Sequence, residues 1–162
     1  MRGRLIGALI LVWLMSCEGG GAQALGGQVF ASWDDFEIDK CASIWLIRRF
    51  IDPEAVIRIY PRGETITEGT PFDIPDAKLR RYHNSSTFQV LVKHYGVVDE
   101  RVQYLARIVH DAEINVWEQK AMPETPAVQQ TFDTLLRGTK DSQAMIEKCV
   151  DFFDLLYRNR IP

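Results

Sequence analysis

The segment that most constrains the fold runs from Asp39 to Asp52, because it is apolar on nearly every side of a helix. A helix that is apolar all round is normally buried in a protein core. Asp39 is a good residue to cap the amino end, and we predict a helix over residues 40–51. Asp52 precedes Pro53, which ends this helix because the residue before a proline avoids the helical region. The chain must therefore build its core around this segment.

Two arginines, Arg48 and Arg49, stand near the carboxyl end of this segment. An unpaired buried charge is costly, so each needs a partner. One interpretation is an Arg48–Asp52 salt bridge, with the cation also favoured by the helix dipole. The other is a site for an oxyanion or a carboxylate, since the planar guanidinium suits bidentate recognition. The candidate ligand-binding residues on this interpretation are Arg48, Arg49, Trp45, Cys41 and Asp39.

The rest of the chain predicts a single α+β domain that is rich in helix and has a small sheet of two to four strands. Extended pieces are predicted at 55–60, 70–75 and 78–82. Further helices are predicted from a cap at Ser85 or Ser86 to residue 95, and at 99–117, 125–136 and 141–158. A length of 162 residues fits one domain. A net charge of −3 does not support a nucleic-acid partner, which usually requires a basic balance.

The amino terminus has the pattern of a secretory leader. A basic start is followed by an apolar run over residues 5–15, which is too short to span a bilayer. Cys17 ends this run as in a lipobox and would be lipidated, whereas Ala22-Gln23-Ala24 offers an ordinary cleavage site, and an uncleaved anchor is a third alternative. All three predict a periplasmic or membrane-anchored protein that meets the membrane only through its leader or lipid. We therefore divide the chain into a leader (1–24), a tether (25–36) and a domain (37–162).

Cys41 and Cys149 are the cysteines that remain after the leader. They could pair in an oxidising compartment, or they could stay as two buried thiols. The spacing alone leaves both alternatives open.

Three residues form a candidate metal set: His83, His110 and Glu113. His110 and Glu113 are three positions apart on a predicted helix, so they are neighbours on its surface. A histidine combined with carboxylates from separate elements suits a divalent metal. The alternative is that each histidine is a packed or capping residue, because no metal motif of fixed spacing is present.

The residues 39–55, Asp-Lys-Cys-Ala-Ser-Ile-Trp-Leu-Ile-Arg-Arg-Phe-Ile-Asp-Pro-Glu-Ala, resemble a signature block of the ChrB-type chromate resistance family, in its C-terminal domain, which is also described as a chromate resistance exported protein. The shorter segments 70–75, 106–113 and 153–157 are similar to later blocks of that domain, as is His83 followed by Phe88. The resemblance covers residues 37–158. Lys40 and Glu113 depart from it, since the family usually has arginine and aspartate there.

The resemblance implies a function in chromate resistance. We expect an exported protein that binds an oxyanion such as chromate, or a metal ion, through Arg48, Arg49, His83 and His110. An alternative is an enzyme outside the cytoplasm that depends on a metal or on the Cys41 thiol, and another is an interaction domain without a small-molecule site. Some relatives are chromate-responsive regulators with a further N-terminal domain, but the leader argues against nucleic acid as a partner here.

Overall fold

The computed structural model describes residues 27–116 and 119–159. The leader, the beginning of the tether and Cys17 lie outside these ranges. In chain order the elements are β1 (Val29–Trp33), α1 (Ile38–Leu46) continued by a π-helical turn (Ile47–Ile51), β2 (Val56–Tyr60), β3 (Thr70–Pro71), α2 (Thr87–His94), α3 (Glu100–Glu113), α4 (Thr125–Leu136) and α5 (Ser142–Asn159). The prediction of a helix-rich α+β domain with a small sheet is confirmed. No described helix is both long and apolar enough to cross a bilayer.

The sheet has three parallel strands in the order β2-β1-β3. Its central strand, β1, lies within residues 25–36, which were predicted to be a tether. Phe30 and Ala31 in β1 are fully buried, so this segment belongs to the folded domain. The predicted extended piece at 78–82 does not form a strand: it contributes only isolated bridges, from Leu79 to Phe72 and from Tyr82 to Ser85.

The apolar helix is buried as predicted, and every residue of α1 is inaccessible or nearly so. It begins earlier than expected, with Glu37 at the N-cap position. The prediction that Asp39 caps its own helix is wrong, because its carboxylate accepts hydrogen bonds from the amino end of α2 instead. The helix ends as predicted, since Asp52 before Pro53 has an extended backbone.

The later helices begin within one residue of the predicted caps, and Ser86 rather than Ser85 caps α2. Ser86 and Gln89 form a capping box on α2, the Asp99 side chain caps α3, and Asp141 accepts from the backbone of α5. Helix α3 ends at Glu113, before the predicted boundary at 117, and the Val116 side chain is largely exposed. The long helix therefore contributes fewer apolar positions to the core than its periodicity suggested.

A disulfide joins Cys41 of α1 to Cys149 of α5, and this resolves the alternative between a pair and two thiols. The two residues are 108 positions apart in sequence. Beside the disulfide, the Trp45 ring is surrounded by four aromatic rings, those of Phe50, Phe88, Phe153 and Tyr157. Helix α1 is thus the centre of the core, with α2, α3 and α5 packed around it.

Candidate functional site

The carboxyl end of α1 holds the predicted arginine pair, and Arg49 is bound there by a carboxylate of the chain. Its Nε and Nη2 donate to the two oxygens of Asp154 on α5, at 3.0 and 2.8 Å. The Trp45 Nε1 donates to the same carboxylate at 2.8 Å, and these hydrogen bonds, above all that from Arg49, lower the pKa of Asp154. Arg48 is half-buried and has no ion pair among the described residues. The contacts of Trp45 and Arg49 with Asp154 therefore form a clamp that ties the carboxyl end of α1 to α5.

The predicted metal residues are not brought together. His83 is exposed on a turn, His110 pairs through Nδ1 with Gln89 Oε1 at 2.8 Å, and Glu113 binds Arg81. Within residues 27–116 and 119–159, no group of three or more His, Cys, Asp or Glu side chains is arranged to hold a metal ion. Cys41 is held in the disulfide, so it has no free thiol in this state.

A different concave site lies at the carboxyl edge of the parallel sheet, and we call it the sheet-edge pocket. Its volume is about 300 Å³. It is lined by Trp33, Asp35, Glu37, Arg62, Asp73, Ile74, Pro75, Arg80 and Arg81. Trp33 ends β1, Arg62 comes just after β2, and Asp73 just after β3. The crevice outside the carboxyl ends of parallel strands is where such sheets usually bind ligands.

A buried ammonium group lies beside the pocket. Lys40 is only 1% exposed, and its Nζ donates to the Trp33 carbonyl at 3.0 Å and to the Asp35 carboxylate. Asp73 Oδ2 is 3.7 Å from the same nitrogen. Lys40, which does not itself line the pocket, thus holds two pocket carboxylates in place.

Asp39 connects the pocket to α2. Its two carboxylate oxygens accept from the backbone N–H groups of Thr87 and Phe88, at 2.6 and 2.8 Å. The Thr87 hydroxyl donates to Asp73, which lines the pocket. Burial, reinforced by the negative charge of Asp73, raises the pKa of Asp39 to about 7. Burial also raises the pKa of Asp73. Acidic groups with raised pKa values beside a cleft are typical of functional sites.

Arg81 is the central guanidinium of the pocket. Its Nη1 donates to Glu113 and its Nη2 to Glu37, both at 2.7 Å. Arg80 has no carboxylate partner among the described residues, and its guanidinium lies 4.7 Å from the centre of the Tyr82 ring. Arg62 is 74% exposed and only loosely paired, with Nε 3.6 Å from Asp35. The pocket therefore offers guanidinium donors that are not fully occupied.

The backbone of Asp73 is unusual. With φ at 51° it is the one residue other than glycine with a left-handed conformation in the described part of the chain. Aspartate tolerates this region better than most residues, and such conformations cluster at functional sites. Here the backbone brings the Asp73 carboxylate back beside Lys40 and Thr87.

Sequence reasoning identified only some of this site. Asp39 and Glu113 were singled out, and both lie beside the pocket, whereas Arg48, Arg49 and Trp45 lie toward the other end of α1. Asp39 and Arg49 are ten residues apart, or about 15 Å along a helix. Arg62, Asp73, Arg80 and Arg81 were missed. Arg62 and Asp73 each lie two positions after the end of a strand, and this placement could have found them once the sheet around β1 was recognised. Arg80 and Arg81 lie inside the predicted piece 78–82, where the sequence has no comparable signal.

The family model described as "ChrB, C-terminal domain" matches residues 30–160, which is most of the chain. The match includes β1 from its second residue onward and all the residues that line the pocket. No curated protein and no solved structure matches the chain significantly.

Proposed function

This chain belongs to the ChrB C-terminal domain family, which relates it to chromate resistance, and we propose that it binds a tetrahedral oxyanion such as chromate in the sheet-edge pocket. The observation that carries this proposal is the convergence of Arg62, Arg80 and Arg81 on one cavity at the carboxyl edge of the sheet. Arginine suits such a ligand because its planar fork donates two parallel hydrogen bonds to an oxyanion.

The carboxylate partners that the arginines already have favour this pocket over the Arg48/Arg49 end of α1. An anion at Arg49 would have to displace Asp154, which already accepts three hydrogen bonds from Arg49 and Trp45. An anion in the sheet-edge pocket would meet Arg80, which has no carboxylate to give up among the residues described. The cavity of about 300 Å³ is also at the lower end of the range for small-molecule sites.

The binding experiment is a calorimetric titration of chromate into the purified protein with its disulfide intact. We expect the Arg62→Gln/Arg80→Gln variant to bind about tenfold or more weakly, because each lost charged hydrogen bond is worth about 1.5–3 kcal/mol. The matched control, Arg48→Gln/Arg49→Gln, removes the same two charges from the other arginine pair and should bind like the wild type.

The outcomes separate the alternatives. Loss of binding only in the Arg48→Gln/Arg49→Gln control would transfer the site to the carboxyl end of α1. A wild-type protein that does not bind chromate would refute oxyanion binding and favour an interaction domain. Thermal unfolding of each variant distinguishes loss of a ligand contact from loss of the fold.

We also propose that the protein is exported, with lipidation of Cys17 or cleavage after Ala24. The leader pattern supports this, and so does the Cys41–Cys149 disulfide, since disulfides persist mainly in oxidising compartments. Cell fractionation with a labelled fatty acid tests it. We expect the label in the membrane fraction and its loss in Cys17→Ser. Recovery of the unlabelled wild type in the periplasm would favour simple cleavage, and recovery in the cytoplasm would refute export.

A further inference from the structure

The sheet-edge pocket contains as many carboxylates as guanidinium groups, which is unusual for a simple anion site. Asp35, Glu37 and Asp73 line it together with the three arginines. A carboxylate repels a fully ionised oxyanion, and an ionised carboxylate can only accept hydrogen bonds. The arginines therefore account for attraction to an oxyanion, but the carboxylates need a separate explanation.

Two of these carboxylates have an oxygen that can accept a further hydrogen bond. Glu37 binds Arg81 through Oε2, and Oε1 has no hydrogen bond among the described residues. Asp73 accepts the Thr87 hydroxyl through Oδ1, while Oδ2 has only the Lys40 ammonium at 3.7 Å, beyond hydrogen-bond distance. Lys40 and the left-handed backbone hold Asp73 in this position. Both carboxylates line the pocket, so hydrogen-bond acceptors lie there beside the guanidinium donors.

We infer that the sheet-edge pocket selects oxyanions that carry a proton and rejects those that do not. This inference rests on the proposed function and names the ligand class of the same site. Hydrogen chromate and hydrogen phosphate each have an O–H group that can donate to a pocket carboxylate, while their remaining oxygens accept from the arginines. Sulfate has the same tetrahedral shape but carries no proton at neutral pH, so one of its oxygens must face a carboxylate.

The physical basis is the cost of an unmatched polar contact. A site that is built to accept a hydrogen bond from a ligand hydroxyl strongly rejects an analogue that lacks it, because the buried acceptor loses its partner. Two like charges in contact add a further penalty in a partly desolvated site. The Asp73 side chain is only 7% exposed, so water replaces the missing donor poorly there.

The test compares inorganic phosphate, chromate and sulfate by calorimetry at constant ionic strength and at pH 6, where most chromate carries a proton and sulfate carries none. The wild type should bind phosphate and chromate at least about tenfold more tightly than sulfate, the ratio that corresponds to one unsatisfied acceptor. Asp73→Asn should strengthen sulfate binding and bring this ratio near one, because an amide can donate to an ionised oxygen. Asparagine also tolerates the left-handed backbone and can still accept from Thr87.

A second variant tests the inference even if Asp73→Asn fails to fold, and a control variant tests a carboxylate outside the pocket. Glu37→Gln changes a half-exposed carboxylate, and it should also bring the ratio of phosphate or chromate affinity to sulfate affinity closer to one. Asp76→Asn changes an exposed carboxylate near the pocket that does not line it, and should leave the ratio unchanged.

Each outcome bears on one of the two proposals. A wild type that binds sulfate as tightly as phosphate and chromate would overturn the inference and leave oxyanion binding intact. So would an unchanged ratio in folded Asp73→Asn and Glu37→Gln. Failure to bind any of the three anions would overturn the proposed function, and the inference with it.

Discussion

The carboxylate of Asp39 in α1 accepts a hydrogen bond from the backbone N–H of Phe88, the second residue of α2, at 2.8 Å. Its other oxygen accepts from Thr87. A single buried side chain therefore satisfies two amino-terminal N–H groups of a helix that lies 48 positions further along the chain. The first N–H groups of a helix have no partner within that helix. Asp39 supplies the missing acceptors for α2, and it can do so only while α1 and α2 are packed together.

This arrangement predicts a pH dependence of stability. The folded-state pKa of Asp39 is about 7 and its ordinary value is 3.8, so the folded protein keeps a proton that the unfolded chain loses. The contribution of Asp39 to stability is complete below pH 3.8 and is lost as the pH rises to about 7. Asparagine cannot ionise, so the stability advantage of the wild type over Asp39→Asn should shrink over this interval.

Urea unfolding of both proteins from pH 4 to 8 measures this difference. The raised pKa values of Asp73 and Glu113 act in the same direction, and because the charges of both residues also raise the pKa of Asp39, the comparison measures Asp39 together with its coupling to them. A constant difference across the interval would contradict the prediction.

The disulfide predicts a strong effect of reduction. Cys41 and Cys149 close a loop of 108 positions, and removing a native disulfide typically costs about 2–5 kcal/mol of unfolding free energy. We expect a strong reductant to lower the urea midpoint of the wild type. The Cys41→Ala/Cys149→Ala variant should be less stable without reductant and insensitive to it. A wild type that does not respond to full reduction, verified by thiol titration, would contradict this expectation.

The clamp at the carboxyl end of α1 predicts unequal effects of its two charged residues. Asp154→Ala leaves the Nε1 of Trp45, a fully buried residue, without its acceptor and should cost about 1–3 kcal/mol. Arg49→Ala removes a 44% exposed partner and should cost less than about 1 kcal/mol. Arg158, 3.6 Å from the same carboxylate and 73% exposed, is the control, and Arg158→Ala should have almost no effect. Equal losses for the first two variants, measured by urea unfolding, would show that the indole bond adds nothing.

The sequence predicts where helices begin better than it predicts how their side chains pair with other helices. Helix positions followed from local signals that need no tertiary information, such as Ser86 before α2 and Pro126 in the first turn of α4. The partner of Asp39 did not, because an aspartate at the start of an apolar helix is equally compatible with capping its own helix. Its bond to residues 87 and 88 depends on how two helices pack.

The central strand was missed for a related reason. Val29–Trp33 is a short apolar run close to a glycine-rich segment, and a strand of five residues has little periodicity of its own. Parallel pairing with β2 and β3 stabilises it, and those contacts are distant in sequence. Without β1 there was no sheet edge on which to place Arg62, Asp73 and Arg81, so the arginine site was sought on the signature helix.

Arg81 provides the last prediction, which concerns the electrostatics of the pocket. The Glu113 pKa is raised by burial, and the nearby positive charge of Arg81 opposes that rise. Arg81→Gln removes this opposing charge, so the Glu113 pKa should rise further. Arg80→Gln is the matched control, because Arg80 has no contact with Glu113 among the described residues and should leave its pKa in place. Carbon-detected NMR titration of the glutamate side chains measures both variants. An unchanged Glu113 pKa in folded Arg81→Gln would show that the 2.7 Å contact between these residues does not persist in solution.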